Sequence, residues 1–383
     1  MRWGIPVAAV AVVGAVVGTA PVIAAVQGDP SLPGRTAQQL LAGVAENARR
    51  AEPPAMSGTV VETASLGLPA LPLTAAAGSS PLALLSGSHT LKVWYGGGDR
   101  MRLALPGPMS ETDLISTGHG EAWLWQSDTN TATRYKLGDQ PAAGARPTPS
   151  ALTGATTPAD MAAGLLKAAD ESTGVSVENG QHVAGRAAYQ LVLTPKAATS
   201  LVAKVKIALD GENYIPLRVQ IFAKGTAEPA FEVGFTQVTF STPAPENFAF
   251  TPPAGAKVKE STLGAGHGGP GDEHAPAAKA RAEAASGTRT HGKGWGTVAE
   301  VPFSLDALTA SVPAGRSGGG KFAPADPAKM VDSLLKSAKP VSGPWGSGRV
   351  IQTKLVSALL TDDGRLLFGA VTPEALTEAA GRE

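Results

Sequence analysis

From Met56 to about Phe250 the chain alternates apolar and polar residues with a period of two. Met101, Leu103 and Leu105 alternate with Arg100, Arg102 and Ala104. Tyr189, Leu191 and Leu193 alternate with Gln190 and Thr194. Val205, Ile207 and Leu209 alternate with Lys204 and Lys206, and Leu217, Val219 and Ile221 with Arg218 and Gln220. Side chains of a strand point to opposite faces in turn. Each run therefore has one apolar and one wet face, the pattern of an antiparallel sheet covered on one side. In Phe231–Phe240 the parity switches, with Phe231, Val233 and Phe235 on one and Val238 and Phe240 on the other. One extra residue near Thr236-Gln237, a β-bulge, explains the switch.

Two helices interrupt the strands. The first runs from Ala37 to Ala51, with Thr36 and Gln39 as a capping box and Ala37, Leu40, Leu41, Val44 and Ala48 as its apolar stripe. The second starts at Thr157-Pro158 and stops before Gly174, with Met161, Leu165, Leu166 and Ala169 inward. Residues 67–86 read as a long loop. From Lys257 to Gly294 large apolar residues almost vanish while Gly, Ala, His and charge rise, which predicts a disordered linker over 257–294. Beyond it, residues 295–383 form a short extension. It holds a strand at Thr297–Phe303, a helix near Ala328–Ala338, a hairpin about Asp362-Asp-Gly364 and a last helix from Thr372-Pro373. The piece is too small for a large core of its own and is expected to pack on the main sheet.

The chain's start changes the picture of where it works. Arg2 is followed by an uncharged run to Gly28 with the apolar core Val7–Val17. Residues 1–27 are expected to be a cleaved signal peptide or an uncleaved membrane anchor, and either places the rest outside the cytoplasm. Lys and Arg (32) balance Asp and Glu (32), which argues against nucleic acid as a partner. With no cysteine, disulfides, thiolate metal sites and cysteine nucleophiles are excluded. No His-Glu-x-x-His and no Gly-x-Ser-x-Gly occurs. Gly315–Lys321 has the glycine–lysine spacing of a phosphate loop, but Phe322 and Pro324 follow where Ser or Thr and a helix are needed. His267, Asp272, Glu273, His274 and His291 fall in or beside the linker, without the rigid frame a zinc site requires. His89, His119 and His182 lie at strand ends or turns. The chain is read as a non-enzyme with no cofactor.

Three segments in order carry a family resemblance. They are Gly120–Thr133 with its Trp-Leu-Trp, Val183–Pro195, and Phe248-Ala-Phe-Thr-Pro-Pro-Ala-Gly-Ala-Lys-Val258. From about Thr36 to Val258 the chain resembles the LolA/RseB-like lipoprotein-carrier superfamily, in the form of an actinobacterial-type LolA-like exported protein. The resemblance implies an α+β fold over residues 36–256: a curved antiparallel sheet, an incomplete half-barrel, packed on a few helices. It also implies an apolar cavity for the acyl chain of a lipid or lipoprotein. Met101, Leu103, Leu105, Trp123, Trp125, Leu217, Val219 and Ile221 are the expected lining, taken to share one face. Such a protein is a non-enzymatic carrier that meets a membrane surface. The alternative is an RseB-like envelope sensor that docks a membrane-spanning anti-sigma factor or similar protein.

Overall fold

Reciprocal bonds start the first helix, α1 (Ala37–Arg49): Thr36 N–H donates to Gln39 Oε1 at 2.9 Å, and Gln39 N–H to Thr36 Oγ1 at 3.2 Å. The computed structural model describes residues 32–49, 54–67, 84, 86–107, 109–118, 120–137, 157–168, 171–263, 288–303 and 336–382. Residues 1–31, which carry the expected signal or anchor, therefore lie outside the described ones, as do His119, Gly315–Lys321, His267 and Asp272–His274. After α1 come β1 (Met56–Ser65), β2 (Ser86–Gly97), β3 (Arg100–Pro106), β4 (Glu111–Thr117), β5 (Glu121–Gln126) and β6 (Thr131–Leu137). The helix α2 (Pro158–Ala168) follows, begun by Thr157, whose Oγ1 accepts from Asp160 N–H at 3.2 Å. Then come β7 (Thr173–Val183), β8 (Arg186–Pro195), β9 (Val202–Asp210), β10 (Pro216–Ala223), β11 (Pro229–Thr239) and β12 (Lys257–Leu263). Gly174, expected just past α2, lies inside β7.

These twelve strands form one curved sheet in the order β12-β6-β5-β4-β3-β2-β1-β11-β10-β9-β8-β7. It is open, with β12 and β7 as its edges. The expected bulge is present: Val60 pairs with Phe235 and Thr59 with Gln237, so Thr236 is the extra residue. Val238 then faces Gly58, and the apolar residues of β11 return to one side. The sheet is not wholly antiparallel, because β12 runs parallel to β6. That strand occupies the start of the expected linker. Its Glu260 meets Lys136 at 3.1 Å and Arg134 at 3.6 Å, and Lys257 N–H donates to Asn130 O at 2.8 Å. Low hydrophobicity hid it, because an edge strand is fastened by main-chain bonds and charge rather than by burial.

The extension builds more than was expected of it. β13 (Arg289–His291), β14 (Val298–Pro302), β15 (Lys339–Gly343), β16 (Gly346–Gln352), β17 (Ser357–Thr361) and β18 (Arg365–Gly369) make a second sheet, ordered β13-β14-β18-β17-β16-β15. The last helix, α3 (Pro373–Ala380), covers one side. Val298, Val350, Leu359, Leu367, Val371, Leu376, Ala379 and Ala380 form its own small core. The first arm of the expected hairpin about Asp362-Asp-Gly364 is β17 alone; β16 precedes it, parted from it where Thr353 Oγ1 accepts from Val356 N–H at 2.9 Å.

Candidate apolar binding face

Facing residues of an antiparallel ladder project to the same side. Val93 faces Leu103, Leu103 faces Leu114, and Leu114 faces Leu124. Val60 faces both Leu91 and Phe235. Val219 faces Val233 and Ile207, and Ile221 faces Phe231 and Val205. One apolar side thus runs from β5 to β9, and α1 and α2 lie on it. Leu40 and Ala162 are fully buried in its core, with Met161, Leu165 and Leu166 packed beside them. Six of the expected lining residues belong here. Leu217 and Val219 are 0% exposed, Leu103 1% and Leu105 7%, while Met101 and Ile221 are half-buried at opposite ends of the strands. Sequence reasoning left out Leu91, Val93, Leu114, Phe231 and Phe235 as lining, although their spacing carried the signal.

The face is closed where it was expected to be open. Leu217 and Val219 pack as core under the helices, each worth roughly 1.5–3 kcal/mol of burial. A depression of about 340 Å³ lies instead on the second sheet, lined by Pro340, Ser342, Ser347, Arg349 and Asp362 among others.

Trp123 and Trp125 are not on this face. Trp123 faces Ile115, Trp125 faces Asp113, and both alternate with Leu124, which points to the helices. Glu121-Ala-Trp-Leu-Trp-Gln126 is apolar on both parities, so alternation alone could not choose between them. The register to β4 does. On the far side the ladder Trp94–Arg102–Ile115–Trp123–Arg134 crosses five strands. The Arg102 guanidinium lies 5.4 Å from the Trp94 ring and that of Arg134 5.7 Å from Trp123. Arg102 also pairs with Asp113, and Arg134 with Glu121.

A strap from Phe240 to Ala256 crosses this second side on its way from β11 to β12. Phe250 sits 5.5 Å from Trp123 and 6.2 Å from Trp125, ring to ring. Phe248, 4% exposed, lies against Arg100, whose guanidinium is 5.9 Å from its ring. The closing Phe-x-Phe segment is thus the cover of the Trp pair. Beneath it Asp113, 2% exposed, has its carboxyl pushed up to about 6 by burial, which the Arg102 charge opposes.

His291 Nε2 lies 2.8 Å from Glu300 Oε2 in the second sheet. Among the described residues no group of three or more His, Asp or Glu is placed to hold a metal ion. No described helix is long and apolar enough to cross a membrane.

No family model matches the chain, and no curated protein matches it. Solved structures do. The MucA/MucB complex of Pseudomonas aeruginosa is 16% identical, with a TM-score of 0.41 over 90% of this chain and 96% of that one. A LolA superfamily protein from Nitrosomonas europaea is 10% identical, with a TM-score of 0.22 over 57% of this chain and 99% of that one. A putative outer membrane lipoprotein-sorting protein domain from Vibrio parahaemolyticus is 15% identical, with a TM-score of 0.22 over 55% and 96%. MucB and LolA-superfamily proteins, the group that the sequence resembles, are thus among the solved structures to which this chain is similar.

Proposed function

We propose that the chain is an exported, non-enzymatic binding protein that takes the acyl chain of a lipid or lipoprotein between its first sheet and the helices α1 and α2. The observation that carries the reading is the continuous apolar side from β5 to β9, covered by two helices of only 13 and 11 residues. Binding then exchanges helix contacts for acyl contacts. Each buried methylene contributes roughly 0.8 kcal/mol, so a chain of about twelve supplies close to 10 kcal/mol against the cost of moving a helix. Entry is at a half-buried end of this side, of which Met101 marks one and Ile221 the opposite one; Trp123 and Trp125 take no part. A second reading, an envelope sensor, gives the second sheet a role as the body that docks an envelope protein.

Mass spectrometry of solvent extracts from protein purified without detergent is expected to find acyl lipid in amounts comparable to protein. Met101→Glu and Ile221→Glu are expected to weaken binding of a fluorescent fatty acid with the fold retained, because water reaches a carboxylate at the rim. Lipid-free protein whose variants all bind the fatty acid like the parent would sink the carrier reading.

A further inference from the structure

The hydrogen bonds described between the two sheets lie at one end of the first. Val175, Leu193, Val205, Ile221, Phe231 and Ala64 face one another in turn, so they form one apolar row across six strands on the helix-facing side. The bonds lie just past this row. Lys354 N–H donates to Leu66 O at 2.8 Å, and Lys354 Nζ to Ser65 Oγ at 3.1 Å, at the end of β1. Leu201 N–H donates to Ala370 O at 2.8 Å ahead of β9, and Trp295 Nε1 to Thr173 Oγ1 at 2.8 Å at the start of β7.

Side chains follow the backbone. Leu355, next to Lys354 on the turn between β16 and β17, is 7% exposed. It is buried not in the second sheet's core but in that of the first, where Ala370 and Trp295 also pack. Its place is fixed on both flanks. Its own N–H donates to Thr353 Oγ1 at 3.3 Å, and Lys354 is held at Leu66. Protein interiors are close-packed, so this side chain fills the space into which the apolar row would otherwise continue. At the opposite end of the strands Met56, Tyr95 and Met101 face one another and are half-buried.

On the carrier reading proposed above, on which this rests, we infer that Leu355 is the stop of the acyl site: it closes the Ile221 end of the apolar side and sets the longest chain that the protein accepts, which enters past Met101. A chain lying along β10 and β11 passes Val219 and Val233, then Ile221 and Phe231, and meets Leu355 where the strands end. Each methylene buried on the way tightens binding about fourfold, and one with no room before Leu355 adds nothing. The first sheet thus supplies the apolar side, and the second supplies the residue that selects among chain lengths.

The test uses the full chain and a series of saturated fatty acids of increasing length, each displacing a fluorescent fatty acid. In the parent, affinity should rise with each methylene and then level off at a limiting length. Leu355→Ala keeps the backbone bonds at Leu66, Leu201 and Thr199, so the second sheet stays docked while the stop recedes. The limit should then move out by about two methylenes, which tightens binding of the longer chains on the order of tenfold. Leu355→Phe should move it the other way. Trp345→Ala, which loosens the second sheet's own core, should leave it where it is. A limit unmoved in both Leu355 variants, or moved as far by Trp345→Ala as by Leu355→Ala, overturns the inference and leaves the carrier reading standing. A parent that binds no member of the series overturns that reading, and the stop with it.

Discussion

At Asp113 a carboxylate is held where water hardly reaches it. Burial raises its pKa from 3.8 to about 6, and Arg102 only partly offsets that. Between those values the folded protein binds more protons than the unfolded chain, so this group's contribution to stability is full below 3.8 and is lost as pH rises through 6. Two units correspond to roughly 3 kcal/mol at most. Urea midpoints should thus fall for the parent across that window, and Asp113→Asn should flatten the fall. An equal slope in both would place the titration elsewhere. The helix-facing side gives a second test at the same scale. Leu103 and Val219 are buried in packed core, so Leu103→Glu and Val219→Glu should each cost several kcal/mol and unfold the first sheet. Circular dichroism showing either variant folded with the parent's midpoint would mean that the helices do not seal that face.

Among elements, the strap lies close enough to β2 for one glycine to decide its fit. A Cβ on Gly96 would come within 2.7 Å of the Phe248 ring. Gly96→Ala must therefore lift the strap or shift β2, at about 1–3 kcal/mol, the usual range for overpacking. Gly96→Ala combined with Phe248→Ala should recover part of that loss, a coupling measurable in a double-mutant cycle; strict additivity would show that the two do not meet. The same elements show what alternation could reveal. Strands with one apolar parity, such as Leu217–Ile221, were placed and faced correctly, and the parity switch in β11 located Thr236 as the bulge. Both caps, Thr36 and Thr157, were legible because a cap is a local bond. Three things were not legible. The Trp face of β5 depends on register with β4, a non-local fact. β12 is fastened by Arg134, Lys136 and Asn130, more than a hundred residues earlier. Closure of the lining depends on how α2 docks, and no strand pattern encodes that.

For the molecule as a whole, the question is whether its two sheets act as one body. Ser200 and Val371 form an isolated bridge, flanked by Leu201 N–H to Ala370 O and Thr372 N–H to Thr199 O, both 2.8 Å. Lys354 N–H donates to Leu66 O at 2.8 Å, and Leu355 is buried in the first sheet's core. Trp295, on the turn between β13 and β14, packs on that core and donates from Nε1 to Thr173 Oγ1 at 2.8 Å. The second sheet has only a small core of its own, and small units lean on what they dock against. The bonds of Thr199, Ser200 and Leu201 lie together near Val371, and Trp295 docks beside them, since a Cβ on the adjacent Gly296 would lie 3.5 Å from Thr199 Oγ1. Lys354 fixes a separate point past the end of β1, so the pair resists rotation as well as separation. Removing an indole from such a site costs roughly 3–5 kcal/mol when it is well packed. Because Trp295 is half-buried, the lower end applies. Trp295→Ala should then split a single unfolding transition into two, the second sheet melting first, since it loses its anchor and keeps little apolar burial. Calorimetry with hydrogen exchange would assign the early step: amides of β14, β17 and β18 should lose protection ahead of those of β8 and β9. A single transition in Trp295→Ala, displaced but not divided, would mean that the bridge at Val371 and the buried Leu355 suffice to couple the two sheets.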